Sequence, residues 1–436
     1  MQFNRFGEYI PFQVIECAKD CGLCLKVCPF ADGNPDEDSI GDQQFGSIPG
    51  ILHRPETGYY LKSYVGFAEE TRDRGSSGGM ASWFLSVLLK MRVVDYIVAV
   101  VPNNDPDRLF KYAILSTQES VLDSAGSAYY PEELSEVLKE IQNRPGKCAI
   151  IALPCFIKAV RLAIQKNRKL KERIAVTVGL VCGQLKSKHY TDYISVLSGV
   201  LPLLQRVNYR MKIPGNPPEN YLFSCINLKG DKGRIFSNEG VKEVWINRWF
   251  TLNGCNYCDD IFAECADITF MDAWLPGYSS DDKGTNLVLV RTPFIQEIIQ
   301  TGINSLQLSL KHIPIQEIVR SQYSGIQEKK IHLSYRLYQA RKTGQQVPMK
   351  RVAPASLAFH PFLRKEIELK EEMRITSRNS WIDHDSHEFA NAETFRKMLN
   401  PCLLRLKQYQ QISVFAIFPM KLSYSILRRL TRYFHE

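Results

Sequence analysis

The sequence lacks any hydrophobic run long enough to cross a membrane. Its longest apolar runs, such as VVDYIVAVV and AIIAL, reach about half of a membrane span. The first residues, MQFNRFGEYIPF, also lack the apolar core of a signal peptide. We therefore expect a cytoplasmic protein.

Histidine is scarce, because only eight are present among 436 residues. His189 lies near Cys182 in sequence, but a lone histidine is more often a surface or packing residue. His384 and His387 lie among acids in IDHDSHEFANAE, a pattern that a metal site can have, although the high polarity favours an exposed loop. The sequence therefore identifies no proton donor.

Cysteine, by contrast, is plentiful, with twelve residues. In a reducing cytoplasm a disulfide framework is not expected, so metal ligation or catalysis is the better interpretation of a cysteine cluster. The composition, 44% apolar and 23% charged, is that of an ordinary soluble globular protein, and the length predicts two or three packed units.

The formal net charge of +9 suits an acidic protein partner, a nucleic acid or an anionic lipid surface, although positive charges spread over a large surface are most often simply solvated. The sequence lacks the interleaved basic and aromatic residues of a nucleic-acid face. We therefore predict no nucleic-acid partner.

Four cysteines near the N-terminus, Cys17, Cys21, Cys24 and Cys28, follow the pattern C-x3-C-x2-C-x3-C-P. Bacterial ferredoxins bind iron-sulfur clusters with C-x2-C-x2-C-x3-C-P, so this run has one extra residue in its first gap. Zinc is the main alternative, but zinc sites usually combine two separated pairs. The spacing favours an iron-sulfur cluster, and any second cluster must use cysteines outside such a run.

Strand and helix signals alternate between residues 70 and 200. The helical segments are SWFLSVLLKM, PEELSEVLKEI, FIKAVRLAIQKN and KHYTDYISVLSG, and the strands between them are DYIVAVV, KCAIIAL and IAVTVGLV. This alternation is typical of a largely parallel sheet that is covered by helices. The sequence therefore predicts an α/β fold for this part of the chain.

Two further cysteines lie where predicted strands end. Cys155 in ALPCF and Cys182 in GLVCGQ each follow an apolar strand, and the carboxyl ends of parallel strands share the edge where ligands bind. The pair Cys255 and Cys258 needs two more ligands to complete a tetrahedral metal or cluster environment. Cys155 and Cys182 are the natural candidates, although each alone can equally be a small buried hydrophobe. The isolated cysteines are assigned to packing: Cys148, Cys225, Cys265 and Cys402.

The segment RDRGSSGGMASWF precedes the first of these helices. Its small residues leave backbone N–H groups open at a helix N-terminus, which can bind a phosphate or another anionic cofactor group, and Ser76 and Ser77 can cap the helix. The same residues satisfy G-x-S-x-G, but the preceding FAEETRDR is too polar for the strand that a hydrolase nucleophile requires. By itself this loop is only a weak indication of a cofactor site.

Taken together, the segments CGLCLKVCP, RGSSGGM, GSAYYP, ALPCFIKAVR, GLVCG and GCNYCDDIFAECADITFMDAW resemble, in the same order, the family of coenzyme F(420) hydrogenase/dehydrogenase beta subunits. This family includes flavin-dependent and iron-sulfur-dependent reductases such as the 7-hydroxymethyl chlorophyll reductases. The resemblance spans residues 17 to about 290 and implies a bound FAD, two 4Fe-4S clusters and a reductive reaction on a small organic substrate.

The resemblance also implies roles for particular residues. It implies flavin contacts from Ser76, Ser77, Gly78, Gly79, Ser127, Tyr129, Thr285 and Asn286. It implies that Cys155, Cys182, Cys255 and Cys258 hold the core cluster. The implied electron route runs from a ferredoxin, another electron-transfer protein or a reduced deazaflavin coenzyme through the clusters and FAD to the substrate.

Three parts of the chain follow from these patterns. We predict a ferredoxin-like iron-sulfur segment over residues 1–58, an α/β core with a mixed or largely parallel sheet over residues 59–325, and a mainly helical extension over residues 326–436. In the extension, LSYSILRRLTRYF places apolar residues at helical spacing with Arg428, Arg429 and Arg432 between them, which suits packing or partner docking, or contact with an anionic membrane surface.

Three hypotheses for function remain at this point. The leading one is a flavin and iron-sulfur oxidoreductase. The second is an electron-transfer subunit that turns over no substrate alone. The third is a zinc-stabilised binding module, which colourless protein without iron would favour.

Overall fold

The computed structural model describes residues 1–14, 16–18, 21–381 and 392–433, with side chains described as far as residue 412. The segment with His384 and His387 lies outside these residues, and the side chains of Arg428, Arg429 and Arg432 lie outside the described side chains. None of the described helices combines the length and the hydropathy needed to cross a bilayer.

The strands of the described chain are short to medium in length. In chain order they are β1 (Gln2–Phe3), β2 (Tyr9–Ile10), β3 (Leu52–Arg54), β4 (Gly58–Tyr60), β5 (Lys62–Ala68), β6 (Tyr96–Asp105), β7 (Arg108–Leu115), β8 (Cys148–Ala152), β9 (Ile174–Leu180), β10 (Leu204–Met211), β11 (Leu222–Asn227), β12 (Lys232–Phe236), β13 (Ile268–Asp272), β14 (Asn286–Val290) and β15 (Leu308–His312).

The helices lie between these strands and dominate the last quarter of the chain. They are α1 (Leu23–Lys26), α2 (Glu37–Phe45), α3 (Glu69–Arg72), α4 (Met80–Lys90), α5 (Gln118–Asp123), α6 (Ser135–Asn143), α7 (Pro154–Lys166), α8 (Arg168–Arg173), α9 (Lys188–Leu197), α10 (Lys242–Ile246), α11 (Pro293–Asn304), α12 (Ile315–Ser321), α13 (Tyr323–Ile326), α14 (Leu333–Lys342), α15 (Pro361–Ser380) and α16 (Ala392–Tyr433).

The central sheet has eight strands in the order β15-β5-β14-β13-β9-β8-β6-β7. The neighbours β13, β9, β8 and β6 run parallel, whereas the pairs at both ends of the sheet are antiparallel. The parallel strands are nearly continuous apolar runs because helices cover both of their faces. The sheet is therefore mixed, and the predicted alternation of strands and helices between residues 70 and 200 is confirmed.

A second sheet, which sequence patterns did not indicate, contains β10, β11 and β12 in antiparallel order. Its inner residues join a hydrophobic cluster that also contains residues of the C-terminal helices, among them Met373 of α15 and Phe395 of α16. The ring of Phe395 stacks on Phe250 with 5.3 Å between centroids. The first half of the C-terminal extension therefore packs on the core, whereas the packing predicted for LSYSILRRLTRYF lies outside the described side chains.

The N-terminal segment consists of two small hairpins, β1 with β2 and β3 with β4, and the helices α1 and α2. His189 of α9 helps to hold the first hairpin, because its Nε2 lies 3.0 Å from the carbonyl oxygen of Arg5. This agrees with a packing role for His189. The ferredoxin-like character of residues 1–58 stays a prediction.

Candidate cofactor site

The carboxyl ends of β8 and β9 place two of the predicted ligands. These strands pair in parallel, with Ala152 beside Gly179. Pro154 begins α7 because its fixed backbone angle suits the first helical position, and Cys155 follows in the first turn. Cys182 lies two residues beyond the end of β9. Both cysteines are therefore at the same edge of the sheet, as the sequence predicted.

The loop before β13 carries the other two predicted ligands, Cys255 and Cys258. A 3-10 turn, Asn253–Tyr257, carries Cys255, whose Sγ lies 3.2 Å from the backbone N of Leu185 and accepts a hydrogen bond from it. The backbone N–H of Cys182 donates to the carbonyl of Ile261 at 3.1 Å. These bonds join the loop to the chain that leaves β9, so Cys255 and Cys258 approach the strand ends.

The four core thiols are close enough for their charges to interact. Burial raises the pKa of Cys182, Lys329 opposes the rise, and negative charge on Cys255 and Cys258 adds to it, which gives a net pKa of about 12. Burial likewise raises the pKa of Cys155 well above its ordinary value, with contributions from the other three thiols. The free thiols of Cys155 and Cys182 therefore stay protonated, whereas a metal ion would hold them as thiolates.

The chemistry of this donor set suits a 4Fe-4S cluster, which takes four cysteine thiolates, and it also suits zinc. The type of donor therefore fits both groups, but within the described residues no three or more His, Cys, Asp or Glu side chains are placed to hold a single metal ion such as zinc. The remaining four cysteines, Cys148, Cys225, Cys265 and Cys402, lie in hydrophobic clusters, which agrees with their assignment to packing.

Lys329 is the charged residue at these thiols. Its Nζ donates to Cys258 Sγ at 2.9 Å and to the carbonyl oxygen of Asp260 at 2.8 Å. Only 3% of the residue is exposed. Sequence reasoning missed it, because the run QEKKIH has the appearance of an exposed helical turn and its contact with Cys258 joins residues 71 positions apart.

The N-terminal cysteines are placed differently. Cys17, Cys21 and Cys24 are exposed, and Cys28 is half-buried. Gly22 takes a left-handed conformation with φ of 54° directly before α1, and Asn34 Nδ2 donates to the carbonyl oxygens of Leu25 and Cys28 at 2.8 Å each. These contacts shape the loop, and ligation of a cluster by the four thiols stays a prediction.

The N-terminal segment approaches the loop that carries Cys255 through Phe30. A Cβ on Gly254 would lie 3.4 Å from the Phe30 ring. Phe30 is two residues beyond Cys28, and Gly254 directly precedes Cys255. The two predicted cysteine sets are therefore joined by a short path of packed atoms.

Residues 349–351 hold this contact in place. The backbone N–H of Met349 donates to Asp32 Oδ1 at 2.6 Å. Lys350 Nζ lies 2.7 Å from Asp259 Oδ1 and 5.8 Å from the centre of the Phe30 ring. Arg351 pairs with Asp38 and Glu264, which belong to the N-terminal segment and to the core respectively. The C-terminal extension therefore ties residues 30–38 to the loop that carries Cys258.

The SSGG loop lies between α3 and α4 and packs on β14. Ser77 Oγ donates to the carbonyl of Thr285 at 3.1 Å, and Asn286 Oδ1 accepts from the backbone N–H of Met80 at 3.2 Å. A Cβ on Gly78 would lie 2.8 Å from the backbone N of Asn286. Asn286 and Thr285 therefore lie directly against the loop, as the sequence grouped them, and packing alone accounts for Gly78.

The loop before α4 is half-buried at Ser76 and Ser77 and buried at Gly78 and Gly79. Gly79 precedes the helix with a left-handed φ of 76° and has no side chain to cap it, so the Asn286 amide accepts the first helical N–H, that of Met80. Within the described residues, no hydrogen bond uses the backbone N–H of Ser76, Ser77, Gly78 or Gly79. Such donors at a helix N-terminus can bind a phosphate.

Two basic residues of β10 and its end border this loop, and sequence patterns did not indicate them. Lys212 Nζ donates to the carbonyl oxygens of Arg72 and Ser77 at 2.6 Å each, and burial lowers its pKa to about 8. Arg210 pairs with Asp272 at 2.8 Å. Ser76, Arg210, Lys212 and Tyr221 are among the residues that line one small cleft.

Tyr129 packs among aromatic side chains, one of which belongs to β10. Its ring lies 4.7 Å from that of Trp245 and 5.6 Å from that of Tyr209. Burial lowers the pKa of Arg210, but its pair with Asp272 more than offsets this. Tyr129 packs against Tyr209, the neighbour of Arg210 in β10, and its contact with a flavin stays a prediction. Ser127 is half-buried in the same GSAYYP segment, and its role stays a prediction.

Comparison with known protein families identifies the family of this chain. The family model for the N-terminal part of the coenzyme F420 hydrogenase/dehydrogenase beta subunit matches residues 63–139, and the model for the C terminus of the same subunit matches residues 146–315. The two models together cover more than half of the chain. The chain belongs to the family of coenzyme F(420) hydrogenase/dehydrogenase beta subunits, which confirms the resemblance seen in the sequence.

Two curated relatives share about two thirds of the chain. A subunit of the F(420)H(2) dehydrogenase from Methanosarcina mazei is 23% identical over 299 residues, which are 66% of this chain and 71% of the relative. The coenzyme F(420)-dependent sulfite reductase of Methanocaldococcus jannaschii is 24% identical over 316 residues, which are 67% of this chain and 43% of the relative. This chain therefore spans less than half of the second relative.

A solved structure shares the fold. A chain of the F(420)-reducing nickel-iron hydrogenase complex from Methanosarcina barkeri aligns with a TM-score of 0.50 at 18% identity. The alignment covers 69% of this chain and 98% of the other. At this identity the likeness concerns the fold alone.

Proposed function

We propose that this chain is an electron-transfer oxidoreductase that uses iron-sulfur clusters and FAD to reduce a small organic substrate. The observation that carries the proposal is the convergence of Cys155, Cys182, Cys255 and Cys258 at the ends of β8 and β9, with Lys329 donating to Cys258. The two relatives, named as part of an F(420)H(2) dehydrogenase and as an F(420)-dependent sulfite reductase, support redox chemistry.

The core cysteines would hold a 4Fe-4S cluster, and the loop at Ser76–Gly79 would hold FAD. When bound, the cluster supplies one-electron transfer and the flavin supplies two-electron transfer to an organic acceptor. The half-buried Ser76 and Ser77 would offer backbone N–H groups to the flavin phosphates, and Lys212 fixes the loop by donating to Ser77. Arg210 lines the cleft beside this loop, and Arg210 and Tyr129 would position the remainder of the cofactor.

The N-terminal cysteines would hold the second cluster at the entrance for electrons. Phe30 carries the packed contact from Cys28 to Gly254 and hence to Cys255. The donor would be a ferredoxin, another electron-transfer protein or a reduced deazaflavin coenzyme, of which the names of the relatives favour the last. The substrate and the cytoplasmic location stay predictions.

The first experiment measures iron, sulfide, zinc and flavin in protein purified without oxygen, with visible spectra before and after dithionite. About eight iron and eight sulfide per chain with one FAD would support two clusters and the flavin. About four iron would show that one cysteine set holds no cluster. Zinc without flavin would contradict the proposal and support a zinc-stabilised module.

A pair of variants assigns the core cluster. Cys255→Ser removes a predicted ligand, so we expect it to lose about half of the iron of a two-cluster protein. Cys148→Ala is the matched control, because Cys148 is fully buried in a hydrophobic cluster and alanine adds no polar group there. Equal iron in the two variants would contradict the ligand assignment.

A second candidate is an electron-transfer subunit that needs a catalytic partner. The first relative favours it, because its name describes one subunit of a dehydrogenase. The two candidates differ in turnover, since a complete enzyme reduces its substrate when the purified chain receives electrons from dithionite. Full cofactor content without turnover of any tested acceptor would favour the second candidate.

A further inference from the structure

Lys329 lies in an environment that is unusual for a lysine side chain. It lies in a π-helical turn, Gln327–His332, between α13 and α14, and only 3% of it is exposed. Burial of an ammonium group is costly unless a partner compensates its charge. Within the described residues, no carboxylate lies within ion-pair distance of Lys329 Nζ. Its acceptors are Cys258 Sγ and the carbonyl of Asp260.

Two neighbouring carboxylates are already paired with other cations, and a third, that of Asp260, has no cation within ion-pair distance among the described residues. Glu328 binds Arg248 at 3.0 Å and His332 at 2.9 Å. Asp259 binds Lys350 at 2.7 Å. The charge of Lys329 therefore acts mainly on the core thiols, which include Cys182 and Cys255 besides Cys258.

We infer that Lys329 sets the reduction potential of the cluster that the core cysteines would hold. This inference rests on the proposed function. Reduction adds negative charge to a thiolate-bound cluster, and both net charge and hydrogen bonds to its sulfurs control the potential. A buried positive charge with an N–H···S bond stabilises the reduced form, because charges interact strongly where water is excluded.

A purely structural role makes a different prediction. Lys329 also fixes the loop through the carbonyl of Asp260, so its loss can weaken the loop that carries Cys258. Such a loss would lower stability or iron content. It would not change the midpoint potential of the clusters that are still bound.

The test is a redox titration of Lys329→Met, Lys329→Arg and the wild-type chain, followed by visible absorbance and electron paramagnetic resonance. Full-length protein with Cys21→Ala and Cys24→Ala is the background, so that only the core cluster contributes. Lys370→Met is the matched control, because Lys370 is also buried but pairs with Glu366 at 2.8 Å and with Glu328 at 3.7 Å rather than with a cysteine.

With iron content equal to that of the background protein with intact Lys329, we expect Lys329→Met to shift the reduction equilibrium at least tenfold toward the oxidised form, about 59 mV for a one-electron couple. Lys329→Arg keeps the charge, so its midpoint potential should stay close to that of the protein with intact Lys329. Lys370→Met should leave the midpoint potential unchanged.

Three results would overturn the inference while leaving the proposed function intact. They are an unchanged midpoint in Lys329→Met, an equal shift in Lys329→Arg and Lys329→Met, and loss of iron in both lysine variants, which would assign Lys329 to cluster assembly. If the background protein with intact Lys329 contains no iron, the proposed core cluster itself is wrong.

Discussion

Arg351 offers the sharpest test of how the chain is held together. Its guanidinium is 8% exposed and binds both carboxylate oxygens of Glu264, at 2.7 and 3.0 Å. It also lies 2.9 Å from Asp38 and 3.5 Å from Glu37. Arg351→Met therefore removes the one cation that joins the N-terminal segment to Glu264 among the described ion pairs.

The magnitude follows from which carboxylates lose their partner. Glu37 keeps Lys158 at 3.3 Å. Asp38 is half exposed and can return to water. Glu264 is 2% exposed and keeps no other cation among the described ion pairs, so its charge is left uncompensated. Breaking a buried pair in this way costs about 3–5 kcal/mol.

Urea unfolding at neutral pH measures this loss, with wild type and variant compared at equal iron content. For a chain of this length that unfolds as one unit, the same loss lowers Tm by about 3–5 °C. Arg320→Met is the control, because its pair with Glu317 is exposed and such pairs are worth about 0–1 kcal/mol.

A second substitution identifies the mechanism. Glu264→Gln in the Arg351→Met background removes the uncompensated charge, so part of the lost stability should return. A loss in Arg351→Met no larger than in Arg320→Met would refute the reasoning. No recovery in the double variant would show that packing, rather than charge, explains the loss.

Two other substitutions test different forces. Burial opposes the charge of Glu328, but a hydrogen bond to His332 and the nearby arginines hold the pKa of Glu328 well below its ordinary value. The contribution of this charge to stability is therefore present above the unfolded pKa of about 4.3 and is lost as pH falls through the folded pKa. Glu328→Gln should therefore be less stable than wild type at pH 7 and lose less stability on acidification; parallel urea midpoints from pH 7 to pH 3 would contradict this. Gly302→Ala would place a Cβ 2.6 Å from the Trp83 ring, so we expect a loss of about 1–3 kcal/mol by urea unfolding followed by tryptophan fluorescence. Gly183→Ala is the control because nothing lies within 4 Å of its Cβ, and equal stability of the two alanine variants would disprove the clash.

Much of the core fold was predictable because its signals are local. The runs CAIIA in β8 and IAVTVGL in β9 are apolar throughout, and buried parallel strands require this on both faces. Pro154 marks the start of α7 immediately afterwards. The positions of Cys155 and Cys182 at one edge of the sheet follow directly from these signals.

Other features depend on contacts between distant parts of the chain. The sequence alternation suggested a largely parallel sheet, but β5, β14 and β15 add antiparallel neighbours to it. The sequence suggested that Gly78 lacks a side chain so that a ligand can approach its backbone. In the structure, the backbone of Asn286 occupies the space beside Gly78. A glycine required by packing and one required by a cofactor are identical in a sequence.

The sequence by itself determined the family, the strand and helix order of the core and the cysteines at the strand ends, because apolar periodicity and cysteine spacing are written along the chain. The tertiary structure alone decided that Lys329 faces the core thiols, that Phe30 packs on Gly254 and that residues 349–351 join the N-terminal segment to the core. The physical reason is that charge pairing and close packing depend on distance in space, and folding brings residues hundreds of positions apart into contact.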